Sequence, residues 1–140
     1  GSATNDAASA GQIGELLNTI VASPGASQTS ATPRNVTSVS LTAGEWEVTG
    51  AVGVIPAATT SITQLRAGLT VTTATMPALG DNALAQWSTA ADVPVNPIVV
   101  PVGPTRISLA STTTVFLVGD AIFSVSTMTD YGSIRARRVR

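Results

Sequence analysis

Glu45 and Glu47 come closer than any other residues in this sequence to a catalytic pair. They alternate with Trp46 and Val48. That is the two-residue period of a β-strand, so both carboxylates fall on one face, roughly 6.5–7 Å apart by strand rise. This separation is near that of the acid and base in an inverting glycosidase. Glycosidase carboxylates flank a cleft from separate elements, however, whereas these two are neighbours on one strand and read as a solvated pair. Asp81-Asn82 beside Gly80 has the make-up of a calcium-loop fragment, but a single acid–amide pair in a glycine loop is first of all a turn. Asp120 follows Gly119 in the middle of an apolar strand and is expected to pair with an arginine across the sheet. Asn35-Val36-Thr37 is a formal glycosylation sequon, which matters only in a secreted eukaryotic protein.

Nucleophilic chemistry has less to work with. The chain contains no Cys and no His, and all seven basic residues are Arg. It therefore has no thiolate, no imidazole base, no cysteine or histidine zinc site, no disulfide and no lysine for a Schiff base or a phosphate loop. Serines are abundant, but no G-x-S-x-G elbow is present and nothing is available to activate one. An enzyme is not expected, and neither a cofactor nor a metal is implied. The exclusive use of Arg follows more simply from a GC-rich coding bias than from selection for its forked geometry.

What remains is a way of binding. The last six residues carry Arg135, Arg137, Arg138 and Arg140, while the preceding 134 hold three arginines against eight carboxylates. An acidic body with a basic end is expected to dock that end on an acidic protein surface, including that of a neighbouring copy. Nucleic acid fits less well, because no aromatic residues interleave the arginines and the pI is about 5.1. No apolar run approaches the ~20 residues that span a bilayer, and no signal-peptide pattern opens the chain.

The elements that must carry these residues are strands. At 140 residues the chain can bury one core, and its composition is 44% hydrophobic but only 4% aromatic and 11% charged. Thr and Val favour strands, and 12 Gly with 8 Pro divide them. The expectation is a single domain over 1–140: an all-β, jelly-roll-like sandwich of about eight short antiparallel strands, with a flexible N-terminal arm over about 1–10. Residues 13–21 fit helix and strand spacing about equally. Ser23–Pro33 reads as a loop. Arg34–Leu41 leads to a turn at Thr42-Ala43-Gly44, and Glu45–Val54 is the clearest strand. Leu41 and Trp46 are expected to meet in the core across a short hairpin. Leu65–Val71 alternates again. Met76–Pro104 holds five prolines and reads as a long surface excursion, with an edge strand around Trp87. Val115–Val125 is a long core strand. A turn at Thr129-Asp130-Tyr131-Gly132 then leads to an edge strand, Ser133–Val139, with Ile134 and Ala136 on one face and Arg135 and Arg137 on the other. Trp46, Val48, Val52, Leu117 and Phe123 are the expected centre of the core.

Three stretches carry a resemblance. They are Val39-Ser40-Leu41-Thr42-Ala43-Gly44-Glu45-Trp46-Glu47-Val48-Thr49-Gly50, Ile55-Pro56-Ala57-Ala58-Thr59-Thr60-Ser61 and Tyr131-Gly132-Ser133-Ile134-Arg135-Ala136-Arg137-Arg138-Val139-Arg140. Together they resemble small virion proteins of tailed bacteriophages and prophages. Gly11-Gln12-Ile13-Gly14-Glu15 is similar to an opening found in the same group, where it enters a first strand, and this tips residues 13–21 toward strand. The likeness is weakest over Met76–Pro104. It implies a jelly-roll domain serving on a virion, either as a capsid decoration (cement) protein or as the head of a tail fibre. It assigns no role to the terminal arginines.

With no coiled coil or fibre stalk within the 140 residues, the cement role is the leading expectation. The chain would bridge subunits of the major capsid protein as a homo-oligomer, a dimer or trimer, with Arg135, Arg137, Arg138 and Arg140 meeting Glu45 and Glu47 of another copy. In the alternative, the excursion around Trp87 would contact a host-surface glycan or protein.

Overall fold

A computed structural model describes residues 8–81, 83–88 and 97–140. Eight strands are formed: β1 (Leu16–Ser27), β2 (Arg34–Leu41), β3 (Gly44–Pro56), β4 (Ser61–Thr70), β5 (Leu84–Ser88), β6 (Ile98–Leu109), β7 (Thr113–Ser124) and β8 (Met128–Arg138). All pair antiparallel, in two sheets of four. Sheet A has the order β1-β8-β3-β6 and sheet B the order β2-β7-β4-β5.

The pairing has a simple logic. β1 pairs with β8, β2 with β7, β3 with β6 and β4 with β5. The chain is thus one long hairpin folded at β4–β5, and rolling that ribbon adds the seams β3–β8 and β4–β7. This is the jelly roll, one of the two architectures that the strand count and spacing allow and the one that the resemblance implies. Alternation does the rest. Trp46, Val48, Val52 and Val54 on β3 point inward, as do Val115, Leu117 and Ala121 on β7 and Ile134 and Ala136 on β8, and all are buried. Of the expected central residues, Phe123 alone is only half-buried, packed against the cluster.

Several local expectations are corrected. Residues 13–21 do enter a strand, but β1 continues to Ser27 through the supposed loop, with a register shift between Val21 and Ala26. Leu41 and Trp46 are both buried, yet no hairpin joins them, since β2 lies in sheet B and β3 in sheet A. The Thr42–Gly44 turn carries the chain across the sandwich, and the two side chains meet the core from opposite sheets.

Residues 129–132 are not a turn but the start of β8. Asp and Gly mimic turn chemistry here for other reasons. Asp130 is buried to receive Arg34, and Gly132 lets the Ala51 carbonyl approach where a β-carbon would collide with it. The true turn is at 125–127, and Val125 takes it with φ of 75°. Finally, β8 is no edge strand. It runs between β1 and β3, because the ends of the rolled hairpin must pair. The proline-rich segment is more structural than expected, too. Residues 98–109 form β6, burying Val100 and Val102, and its prolines at 101 and 104 are tolerated because β6 is the edge of sheet A. Residues 1–7 of the expected arm and residues 89–96 of the excursion lie outside the described residues.

Candidate functional site

The outward positions of sheet A form the candidate site. Register places Arg137 between Leu16 on β1 and Glu47 on β3, and Glu47 between Arg137 and Arg106 on β6. One step along, Arg135 stands between Asn18 and Thr49. Glu45 pairs with Arg106 and also accepts from Ser108 at 3.4 Å. The Arg106 hydrogen bond holds the Glu45 carboxyl below its usual range, with the charges of Arg106 and Arg140 assisting. Among the described residues, Glu47, Arg135, Arg137 and Arg140 take part in no ion pair.

Glu47, Arg135 and Arg137 border a shallow trough. Three adjoining depressions, of about 490, 340 and 370 Å³, run along the face and share lining residues. Arg135 and Thr49 join the first two; Ile20, Ala51 and Ser133 join the last two. The floor is low because its residues are small, and the ring of Tyr131 lies over Gly53, where a β-carbon would enter it. Leu16, Ile20 and Val99 rise at the sides, 48%, 65% and 55% exposed. One end of the trough carries Arg135 and Arg137 with Glu47 and Leu16, and the other is aliphatic, with Ile20, Val21 and Val99.

Arg138 belongs elsewhere, which corrects the grouping of the four arginines. It shares parity with Ile134 and Ala136, so it points inward and is buried. Its Nε donates to Glu15 at 3.1 Å, its Nη1 to the Ala43 carbonyl at 2.8 Å and its Nη2 to Thr42 Oγ1. Glu15 also accepts from the Gly11 N–H at 2.7 Å. Gly44, at φ of 139°, leaves room for the guanidinium, which a β-carbon would strike. Arg138 thus closes one end of the core, joining the N-terminal approach, the β2–β3 crossing and the C-terminus. Glu45, on the surface, pairs with Arg106 of its own chain.

Sheet B offers a different outer face. Residues 71–81 fold over it. Met76 and Pro77 pack on Gly68 and Val118 is fully buried, while Asn35 donates to Thr73 Oγ1 at 2.6 Å and accepts from the Ala74 N–H at 2.7 Å. Asp120 pairs with Arg66 across β7 and β4, with Nε at 2.9 Å, as the sequence predicts. Asp81 accepts from the Ala83 N–H at 2.9 Å in a turn; Asn82 lies outside the described residues. Trp87 sits on β5, 37% exposed, in the other sheet from Arg135 and Arg137. The predicted binding residues are therefore split between two sheets.

One cluster escaped the sequence reading. A cavity of about 10 Å³ between the sheets is lined by Gln28, Arg66, Asp120 and Asp130 among apolar residues. Gln28 Oε1, Asp120 Oδ1 and Asp130 Oδ2 are each buried without a hydrogen-bond partner. Burial pushes the Asp130 carboxyl up to about 6, against the pull of Arg34. The signal was present in strand parity, since Asp130 is in phase with Ile134, but turn chemistry masked it.

Among the described residues no three acidic side chains are grouped to hold a metal ion. An inverting glycosidase needs one carboxyl held protonated, whereas Glu45 is pulled the opposite way by Arg106. No family model, curated protein or solved structure matches the chain.

Proposed function

We propose that this chain is a non-enzymatic structural protein of a phage virion, a capsid decoration protein that bridges subunits of the major capsid protein. The observation that carries the reading is the outer face of sheet A. A jelly roll needs its inner faces for stability, and here one outer face carries arginines that form no ion pair among the described residues, together with exposed aliphatic side chains. The resemblance of three stretches to small virion proteins supplies the setting. Those stretches include Trp46, Arg138 and the arginine row of β8, so they cover both the closed end of the core and the open face. Electron microscopy of virions carrying a tagged copy is the test. Density over capsomer junctions of the head is expected; density confined to the tail tip would exclude decoration.

Trp87 favours a second reading, a tail-fibre head that contacts a host-surface glycan or protein. It is a large aromatic, partly exposed on the edge strand of sheet B. Binding of the purified protein to host cells, lost in Trp87→Ala, is the outcome that this reading requires.

A further inference from the structure

We infer that the trough on sheet A is the docking surface, and that its partner is an acidic protein segment in extended form: carboxylates at alternate positions, followed by aliphatic side chains. This deepens the decoration reading and relies on it only for the identity of the partner.

The two outer faces of the sandwich are not equivalent. Sheet B is roofed by residues 71–81, and its buried acid, Asp120, is already paired with Arg66. Sheet A has no such cover from the described residues, although its trough exposes Leu16, Ile20 and Val99. Exposed apolar side chains that border one depression beside charges mark a contact surface rather than ordinary solvent exposure.

Orientation follows from β8. Its outward residues run Tyr131, Ser133, Arg135, Arg137, from the aliphatic end to the basic end. Arg135 and Arg137 are two residues apart on a strand, so their bases are spaced at roughly 7 Å. An extended partner chain repeats at the same interval. Acids at alternate positions therefore match both guanidinium groups, and the following alternate positions reach Ile20 and Val99. Forked Arg–carboxylate contacts suit this spacing.

Charge argues against a second copy as the occupant. Among the described residues Glu15, Asp120 and Asp130 are buried in ion pairs and Glu45 is held by Arg106, which leaves Glu47 and Asp81. Glu47 already stands between Arg137 and Arg106. Two such faces brought together set four unpaired arginines against two glutamates. The described residues of a second copy do not supply the missing carboxylates, which points to a different protein as their source.

The test uses the full chain and two probes. The first is a synthetic nine-residue peptide with Glu at two alternate positions, then Leu and Val at the next two, and Thr between; a control carries Lys in place of Glu. The second is an empty shell of the major capsid protein from the same genome. Amide chemical shifts should move at Asn18, Ile20, Ser133 and Arg135 with the Glu peptide and not with the Lys peptide. Arg135→Glu with Arg137→Glu should weaken peptide and shell binding about tenfold, because two attractions become repulsions. Ile20→Ser should weaken both without altering salt dependence. Equal binding of the Lys peptide, shifts confined to sheet B, or a concentration-dependent dimer whose interface is this face would each overturn the inference. Shell binding unaffected by the charge reversal overturns it while leaving capsid decoration intact. Peptide binding as described without shell binding keeps the inference and removes the capsid.

Discussion

The guanidinium of Arg138 lies over the indole of Trp46, 4.4 Å from the ring centroid. Trp46 in turn donates its indole N–H to the Thr42 carbonyl at 2.9 Å, and Thr42 Oγ1 accepts from Arg138. Ring, turn and guanidinium form one closed unit at the end of the core. Cation–π contact gains strength where water is excluded, and here both partners are buried. The same arginine compensates the buried Glu15 carboxylate.

Arg138→Ala therefore removes more than a stacking contact. It strands Glu15 in the interior, a type of loss that costs about 3–5 kcal/mol. Arg138→Lys should fall between, since an ammonium cannot reach Glu15, Ala43 and Thr42 with a planar fork. Arg137→Ala, one position away but outward, should change stability by less than about 0.5 kcal/mol. Urea unfolding of the three variants measures this. Equal losses for Arg137 and Arg138 would contradict the inward placement.

The contrast between these neighbours also shows what was legible in the sequence. Alternation alone identifies the buried face of β3 and places Arg135 and Arg137 outward. By the same count Arg138 falls inward with Ile134 and Ala136, but a charged side chain overrides that parity in a reading by composition. Pairing partners are harder to read. Leu16 meets Arg137 across some 120 residues of chain, and no local pattern encodes that distance. Edge and centre are therefore invisible locally, which is why β8 reads as an edge while it lies between two strands. Asp130 and Gly132 fail for a third reason: residues common in turns are also those that accept ion pairs and close backbone approach.

Asp130 makes stability depend on pH in an unusual direction. Its folded carboxyl titrates at about 6, above the ordinary aspartate value. The folded protein thus holds this proton more tightly than the unfolded chain. Its contribution is fully present below about pH 4 and is lost as pH rises through 6, a fall of about 2–3 kcal/mol from this group alone. Glu45, lowered by Arg106, acts in the opposite sense and only in the acid range below its ordinary value. Asp130→Asn should flatten the slope between about pH 4 and 7 and gain on the wild type toward neutrality. Thermal melts across that range decide the matter; an unchanged slope in the variant would assign it to another group.

Val125 stores strain. A β-branched residue at positive φ is unfavourable, and the side chain is exposed, so no packing offsets it. Val125→Gly relieves the backbone at the crossing from β7 to β8. The gain should be about 1 kcal/mol, or about 3–5 °C in Tm. Val125→Ala should recover only part of it, because alanine retains a β-carbon. A loss of stability in Val125→Gly would mean that entropy released in the unfolded chain outweighs the strain.

Gly68 tests the difference between the two outer faces. On β4 it faces outward, and Met76 and Pro77 pack directly on it. A β-carbon would meet the Met76 sulfur at 2.9 Å and press harder still on Pro77, so the roof must lift to admit a larger side chain. Gly68→Val should cost about 1–3 kcal/mol through overpacking. It should also expose Val118, which is otherwise fully buried although it points outward from its sheet. Sheet B would then carry an apolar patch of its own. Limited proteolysis is expected to cut faster within residues 71–81, and light scattering should report self-association absent from the wild type. Gly50→Ala, directed into the core against Leu117, should lower stability without either effect. If Gly68→Val is no more susceptible to protease than the wild type, the roof is not held by that contact, and the bare face of sheet A loses its reference.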